Sequence, residues 1–134
     1  MQLNISTDYA IRIVLYLAVK GGAATSSEIS GQMGVPRSVI ATLAKPLQKA
    51  GILTTQRGTG GGFALGRGPE DISLYAIIDA MEGTTRINRC LEPDGFCSRN
   101  GVETCPVHRF YARIQSYLDE AFRDKTIASL MEDA

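Results

Sequence analysis

Between Gly21 and Gly62 the chain is interrupted by Gly21-Gly22, Gly34-Val35-Pro36, Gly51 and the run Gly58-Thr59-Gly60-Gly61-Gly62, so only short elements fit there. The segment ahead of the first break, from about Thr7 to Lys20, predicts a helix. Ser6 or Thr7 can cap it, Asp8 suits its positive end, and Ala10, Val14, Leu17 and Ala18 recur at helical spacing. Thr25-Ser26-Ser27-Glu28 is a capping-box pattern that opens a second helix with Ile29 and Met33 on its inner face. Pro36 suits the first position of a third helix, which runs to about Ala50 and stops at Gly51. Ile40, Leu43, Leu47 and Ala50 form its predicted buried stripe, and Pro46 is expected to kink it after Thr42. Two extended segments, Ile52 to Arg57 and Phe63 to Leu65, then flank the glycine run as a hairpin.

Two short helices, a tight turn, a third helix and a hairpin make a winged helix-turn-helix. A helix that enters a DNA major groove needs one stripe anchored in the core and another of short or cationic residues for base edges and phosphates. Arg37, Ser38 and Thr42 occupy the N-terminal half of the third helix, where base contacts fall, while Lys45 and Lys49 suit phosphates. Gly58, Gly60 and Gly61 would let the wing tip approach DNA closely, and Arg57 at its base could enter a narrow minor groove. Charge supports this division. Through Arg67 there are seven basic residues against Asp8 and Glu28, a local net of +5; the remainder carries seven basic and twelve acidic residues, a net of −5.

The glycine run is not a nucleotide cradle. No Gly-Lys-Ser/Thr follows it, and Phe63 stands where the dinucleotide fingerprint requires its third glycine. With one histidine and no nucleophile–base or paired-carboxylate pattern, an enzyme is not expected. The N-terminus lacks the pattern of a signal peptide and no apolar run approaches the ~20 residues of a membrane span, so a soluble cytoplasmic protein is expected.

In the second half, Ser73 to Glu82 predicts a short helix with Leu74, Ile77, Ile78 and Met81 inward and Gly83 at its end. Thr84 to Thr104 has no periodicity, and a loop that long in a small domain is uncommon unless functional. About Pro106 to Phe122 follows as the longest helix. Val107, Phe110, Ile114, Tyr117, Leu118, Ala121 and Phe122 repeat near 3.5, the period of a seam between helices. Thr126 can cap a last turn through Leu130.

All three cysteines lie at that loop, as Cys90-x6-Cys97-x7-Cys105-x2-His108. Such crowding in a reducing compartment favours metal ligands or reactive thiols over a disulfide framework. Thiolates suit iron–sulfur clusters, zinc or copper, and Cys105 and His108, three apart at a helix start, would face one side. A zinc site of three cysteines and His108, or simply reduced thiols, stands beside the cluster at this point.

The runs Asp8-Tyr9-Ala10-Ile11-Arg12 and Ala50-Gly51-Ile52-Leu53, then Gln56-Arg57-Gly58-Thr59-Gly60-Gly61-Gly62-Phe63-Ala64-Leu65 and the three-cysteine loop, resemble one bacterial regulator family over nearly the whole chain. It is the family of IscR, NsrR, RirA and CymR, the Rrf-two family of winged-helix transcription regulators. The resemblance implies a homodimer whose long C-terminal helix crosses its partner and which binds a pseudo-palindromic site on double-stranded promoter DNA. It also implies a 2Fe–2S or 4Fe–4S cluster on Cys90, Cys97 and Cys105, although some members work without one. His108 matches the histidine ligand of the cluster-assembly regulators. Asp8 matches the acid that nitric-oxide-sensing members supply from the other subunit, while by position it can equally cap its helix and pair with Arg12 at i+4. The cysteine gaps are wider than in the closest cluster-assembly members. Ala41 replaces a glutamate those members use in site selection, so their DNA sequence does not transfer.

The expected architecture is therefore mainly α with a small β-hairpin wing. A winged helix-turn-helix (residues 1–83) leads to a cysteine-bearing sensor loop (84–104), then to a dimerisation helix and C-terminal turn (105–134). The expected function is a homodimeric transcription regulator, a repressor, whose operator binding is controlled by an iron–sulfur cluster or redox state. Two alternatives stay open: a regulator of the same fold that senses thiol oxidation or a metabolite without a cluster, and an iron–sulfur or zinc interaction module that touches no DNA.

Overall fold

The computed structural model describes residues 1–133, so Ala134, the last residue of the expected dimerisation segment, lies outside the described residues. In chain order the elements are α1 (Ile5–Lys20), α2 (Ser26–Met33), α3 (Arg37–Lys49), β1 (Leu53–Gln56), β2 (Gly62–Leu65), α4 (Leu74–Glu82), α5 (Pro106–Asp124) and α6 (Ile127–Glu132). Helices α1 to α4 and the hairpin close around one core in which Ile13, Leu17, Ile29, Ile40, Leu47, Ile52 and Ile77 are buried. The mainly α winged helix-turn-helix is thus as the sequence reads.

Several local devices differ from expectation. Helix α1 begins at Ile5 behind Asn4, not behind Ser6 or Thr7. Thr7 is fully buried and its hydroxyl donates to Glu82 Oε1 (2.9 Å), as do the Asn4 amide (2.6 Å) and, to Oε2, the Asn4 side chain (2.7 Å). A carboxylate at the end of α4 therefore secures the start of α1. At α2 the Thr25 hydroxyl accepts the Glu28 amide (3.2 Å), but the Glu28 carboxylate is taken up mainly by Lys20 Nζ (2.7 Å) and the Tyr16 hydroxyl (2.9 Å). Those two contacts, the lysine first, hold the Glu28 carboxyl below its ordinary range and fasten α2 to α1.

Helix α3 starts one residue after Pro36 and stays helical through Pro46. Its buried stripe is Ile40, Leu43, Ala44 and Leu47; Ala50 is exposed, a correction, because it is the capping residue and no longer follows the helical stripe. Gly51 (φ 75°) donates to Gln48 O (3.0 Å) and Ile52 to Leu47 O (2.9 Å), a Schellman stop whose Leu47 and Ile52 side chains are both buried.

The hairpin is antiparallel, with Leu53 opposite Leu65 and Gln56 opposite Gly62. A third segment joins it: Ala24 and Phe63 exchange both backbone hydrogen bonds (2.9 Å each), so the α1–α2 connection lies along β2. This approach requires Gly62. At φ 147° a Cβ there would stand 2.2 Å from Ala24 O. Gly62→Ala is expected to destabilise the fold by about 2–3 kcal/mol, from a disfavoured backbone conformation and a clash with backbone that cannot yield. Thermal unfolding monitored by circular dichroism checks this, and an unchanged midpoint would contradict the pairing.

The last helix, grouped by the sequence with α5, returns to the first body. Ile127 is fully buried, Ile127 N bonds Ile72 O (2.8 Å), Leu74 N bonds Lys125 O (2.8 Å), and Leu130 and Met131 pack on the core. Thr126 and Ser129 form a reciprocal capping box at its start. Helix α5 extends to Asp124, two residues beyond the predicted end, and packs chiefly on α4 and the start of the cysteine loop. Among the described residues no helix is long and apolar enough to cross a membrane.

Candidate nucleic-acid interface and cysteine pocket

Seating Ile40, Leu43, Ala44 and Leu47 inward leaves Arg37, Ser38, Ala41, Thr42, Lys45 and Lys49 exposed on α3. Arg57 and the tip glycines Gly58 and Gly60 are exposed as well, while Gly61 is half-buried. A Cβ on Gly61 would stand 2.6 Å from Gln56 O, so this glycine is required by the turn itself, whatever the tip touches. A side-chain hydrogen bond from Gln48 on α3 to Thr55 on β1 couples helix to wing.

The cations of the first half divide into two kinds. Arg12 pairs with Asp8 (2.6 Å) and reaches Met33 O (3.3 Å), Lys20 pairs with Glu28 (2.7 Å), and Arg67 donates to Ala50 O (3.0 Å) and Asp71 O (2.8 Å). Arg37, Lys45, Lys49 and Arg57 enter no ion pair or side-chain hydrogen bond among the described residues. These four are the cations left over for a polyanion.

The cysteine-bearing loop is not irregular throughout. It holds two short 3-10 turns, Arg89–Leu91 and Val102–Thr104. Arg89 forms a two-pronged ion pair with Asp94 (2.5 Å each) and lies 5.3 Å from the centre of the Phe96 ring. The guanidinium holds the Asp94 carboxyl down to about 2. Because this value lies below that of an unfolded aspartate, the pair's contribution is present above pH ~4 and lost as pH falls through about 2. We expect Asp94 to titrate near pH 2 by carbonyl-carbon NMR; a midpoint near 4 would show the pair does not hold in solution.

Cys90, Cys97, Cys105 and His108 line one cavity of about 280 Å³, with Asn88, Phe96, Val102, Val107 and Tyr111 among its other walls. All three thiols are free and half-buried. Cys90 Sγ lies 3.2 Å from His108 Nδ1 and accepts from Asn88 Nδ2 (3.2 Å). Cys105 caps α5, its sulfur accepting the His108 amide at 3.4 Å. Asn100, in the left-handed region (φ 51°), turns the chain back over Cys97. The backbone amides of Gly101, then Arg99, face the Cys97 sulfur and hold its thiol below the ordinary range against an opposing effect of burial. Among the described residues no three His, Cys, Asp or Glu side chains converge closely enough to hold a single metal ion. Asp8 is not among the cavity's lining residues; it stays in its i,i+4 pair with Arg12.

Helix α5 is inverted relative to an ordinary surface helix. Its buried residues are Gln115 (6% exposed) and Asp119 (8%), whereas Val107 (51%), Phe110 (51%) and Tyr117 (63%) face outward. Of the predicted seam, Val107, Phe110, Tyr117 and Ala121 stay exposed within the single chain, while Ile114, Leu118 and Phe122 are half-buried. Sequence reasoning passed over Asn88, Tyr111, Gln115 and Asp119. Polar residues at i and i+4 in a helix otherwise apolar on one side were the available signal for the last two.

Comparison with known proteins places this arrangement. The family model Rrf2, described as iron-dependent transcriptional regulator, matches residues 3–133. The HTH-type transcriptional regulator IscR of Aliivibrio salmonicida is 30% identical over 125 residues, 89% of this chain and 73% of that one. Among solved structures, CymR, the global cysteine regulator of B. subtilis, superposes with TM-score 0.82 at 24% identity, covering 100% of this chain and 98% of the other. IscR of T. potens superposes with TM-score 0.78 at 21% identity, covering 99% and 88%. These relatives are regulators of transcription and not enzymes. With a family model spanning nearly its full length and a winged helix-turn-helix shared with both solved structures, the chain belongs to the Rrf2 family of transcription regulators.

Proposed function

We propose that this chain is a homodimeric repressor that reads double-stranded promoter DNA through α3 and the wing and is controlled at the cysteine pocket by an iron–sulfur cluster. One observation carries the reading: the three cysteines and His108 line one cavity at the start of the helix whose uncovered side is apolar. In this reading Cys90, Cys97, Cys105 and His108 hold the cluster, and Asp8 remains with Arg12. The spread of the donors favours a cluster over zinc. A structural zinc ion needs four ligands about one centre at roughly 2.0–2.3 Å, whereas each iron of a cluster takes ligands of its own. When bound, the cluster supplies a redox- and nitric-oxide-sensitive centre. The chain's part is to hold Cys97 beneath the Gly101 and Arg99 amides, which lower its thiol below the ordinary range, and to seat Cys105 at the positive end of α5.

A second reading has support of its own. The Arg89–Asp94 pair and the Cys97–Asn100 turn brace the cavity, and backbone amides hold the Cys97 thiol below its ordinary range. The same fold could therefore respond to thiol oxidation without a cluster. Anaerobic purification with a visible spectrum and iron and sulfide analysis separates the two. The cluster reading expects visible absorption, stoichiometric iron and sulfide, and loss of both in Cys97→Ser. A colourless, iron-free protein whose DNA affinity changes on oxidation would support the second. A gel shift on the protein's own upstream region tests DNA binding itself.

A further inference from the structure

Only three polar residues of the core are buried among those described: Thr7, Gln115 and Asp119. Each belongs to a network at the root of the cysteine loop. The Gln115 side-chain amide spans two backbone groups of the loop, its Oε1 accepting the Ile87 amide (2.7 Å) and its Nε2 donating to Thr85 O (2.9 Å). The Thr85 carbonyl and the Ile87 amide thus meet one side chain of α5, which satisfies both. The second Nε2 hydrogen goes to Asp119 Oδ1 (2.8 Å), and Asp119 Oδ2 holds Arg86 (3.4 Å). Without Gln115, two half-buried backbone groups would lose their partners.

Position gives the network its meaning. His108, Gln115 and Asp119 lie at i, i+7 and i+11 on α5, the same side of the helix. The clamped residues, Thr85 to Ile87, stand three to five places ahead of Cys90 and three to five beyond Glu82, which holds Asn4 and Thr7 at the start of α1. The cavity is shared between the loop, which carries Cys90 and Cys97, and α5, which carries His108. A group attached to its cysteines acts first on the loop, which carries two of them. With the root clamped, loop and helix shift together and the displacement reaches Glu82 and α1; with the root free, the loop yields alone.

We infer that Gln115 and Asp119 are positioning residues that couple the cysteine pocket to the DNA-binding body, by clamping Thr85–Ile87 to α5. The inference rests on the regulatory reading above, and two measurements keep them apart. The first is hydrogen exchange at the Thr7 and Asp8 amides, both bonded to Asn4 O, compared between the reduced chain and the chain with its cysteines blocked by iodoacetamide. Blocking is expected to change their exchange about tenfold in the wild type and less than twofold in Gln115→Met. Asp119→Asn keeps the volume and the acceptor for Gln115 but drops the charge on Arg86, and should lose at least half the response. Should Gln115→Met fail to fold, Asp119→Asn decides alone. An unresponsive wild type, or a full response in either folded variant, overturns the clamp. The second measurement is anisotropy with upstream-region DNA. Equal wild-type affinity in both thiol states would refute regulation through the cysteines while leaving the exchange result to judge the clamp.

Discussion

Replacing Phe110 with Asp is expected to leave the protein folded and make it monomeric at micromolar concentration. Phe110 is half exposed on α5, and its neighbours along the seam, Val107 and Tyr117, are exposed to a similar degree. The side turned to the body carries Gln115 and Asp119, so the substitution removes nothing from the core. A helix of 19 residues spans about 28 Å, enough for several turns of apolar contact with a second copy. Each large apolar side chain buried there contributes roughly 1.5–3 kcal/mol. In a twofold dimer the change occurs twice, and each carboxylate would lose its water without gaining a partner. Dissociation is therefore expected to increase by at least ~100-fold, about 2.7 kcal/mol. Sedimentation should move from the dimer to the monomer, with an unchanged far-ultraviolet spectrum. A Phe110→Asp protein that remained dimeric would place the interface elsewhere and remove the main physical reason for an inverted α5.

The parts of this molecule that could be read from sequence are those whose cause is local. Gly51 follows the last turn of α3 and needs only its own backbone to form the stop, so the end of that helix was visible within a residue. Two extended segments flanking a glycine run marked the hairpin for the same reason. What escaped is fixed from a distance. The start of α1 is held by Glu82, 78 residues beyond Asn4, and a capping pattern read nearby settled wrongly on Ser6 or Thr7. The bridge from Ala24 to Phe63 leaves no periodicity in either segment. The last turn, grouped in sequence with the dimerisation helix, has Ile127 buried against the first body with Leu130 and Met131 packed beside it.

The candidate site follows the same division. The four candidate ligands that line the pocket were legible because thiols and imidazole are scarce and crowded. The loop that carries them was not, because its order comes from a salt bridge, a cation–π contact and a left-handed asparagine, none of which has a repeat to detect. Charge counting gave the sign of the first half but not its usable part. The Arg12–Asp8 and Lys20–Glu28 pairs cancel internally and Arg67 is bound to two carbonyls, leaving four cations of that half without an ion pair among the described residues.

That separation predicts different behaviour for residues of identical charge. Arg37 stands at the first turn of α3, exposed and unpaired, beside Ser38 and Thr42. A base contact by arginine is worth about 1–3 kcal/mol, so Arg37→Ala should weaken operator binding about 5–150-fold per half-site, and more in a dimer that carries the change twice. It should also narrow the gap between operator and unrelated DNA. Lys49→Ala and Arg57→Ala should weaken both DNAs more evenly, each lowering the magnitude of the salt slope by about 1 if it meets a phosphate. Arg67→Ala should leave that slope unchanged, since its guanidinium is bound to Ala50 O and Asp71 O, and should act through a lower unfolding midpoint. Titrations at several salt concentrations resolve all four. Equal losses for Arg37→Ala on operator and unrelated DNA would reduce Arg37 to a phosphate contact, and base reading by α3 would then have to rest on Ser38 and Thr42.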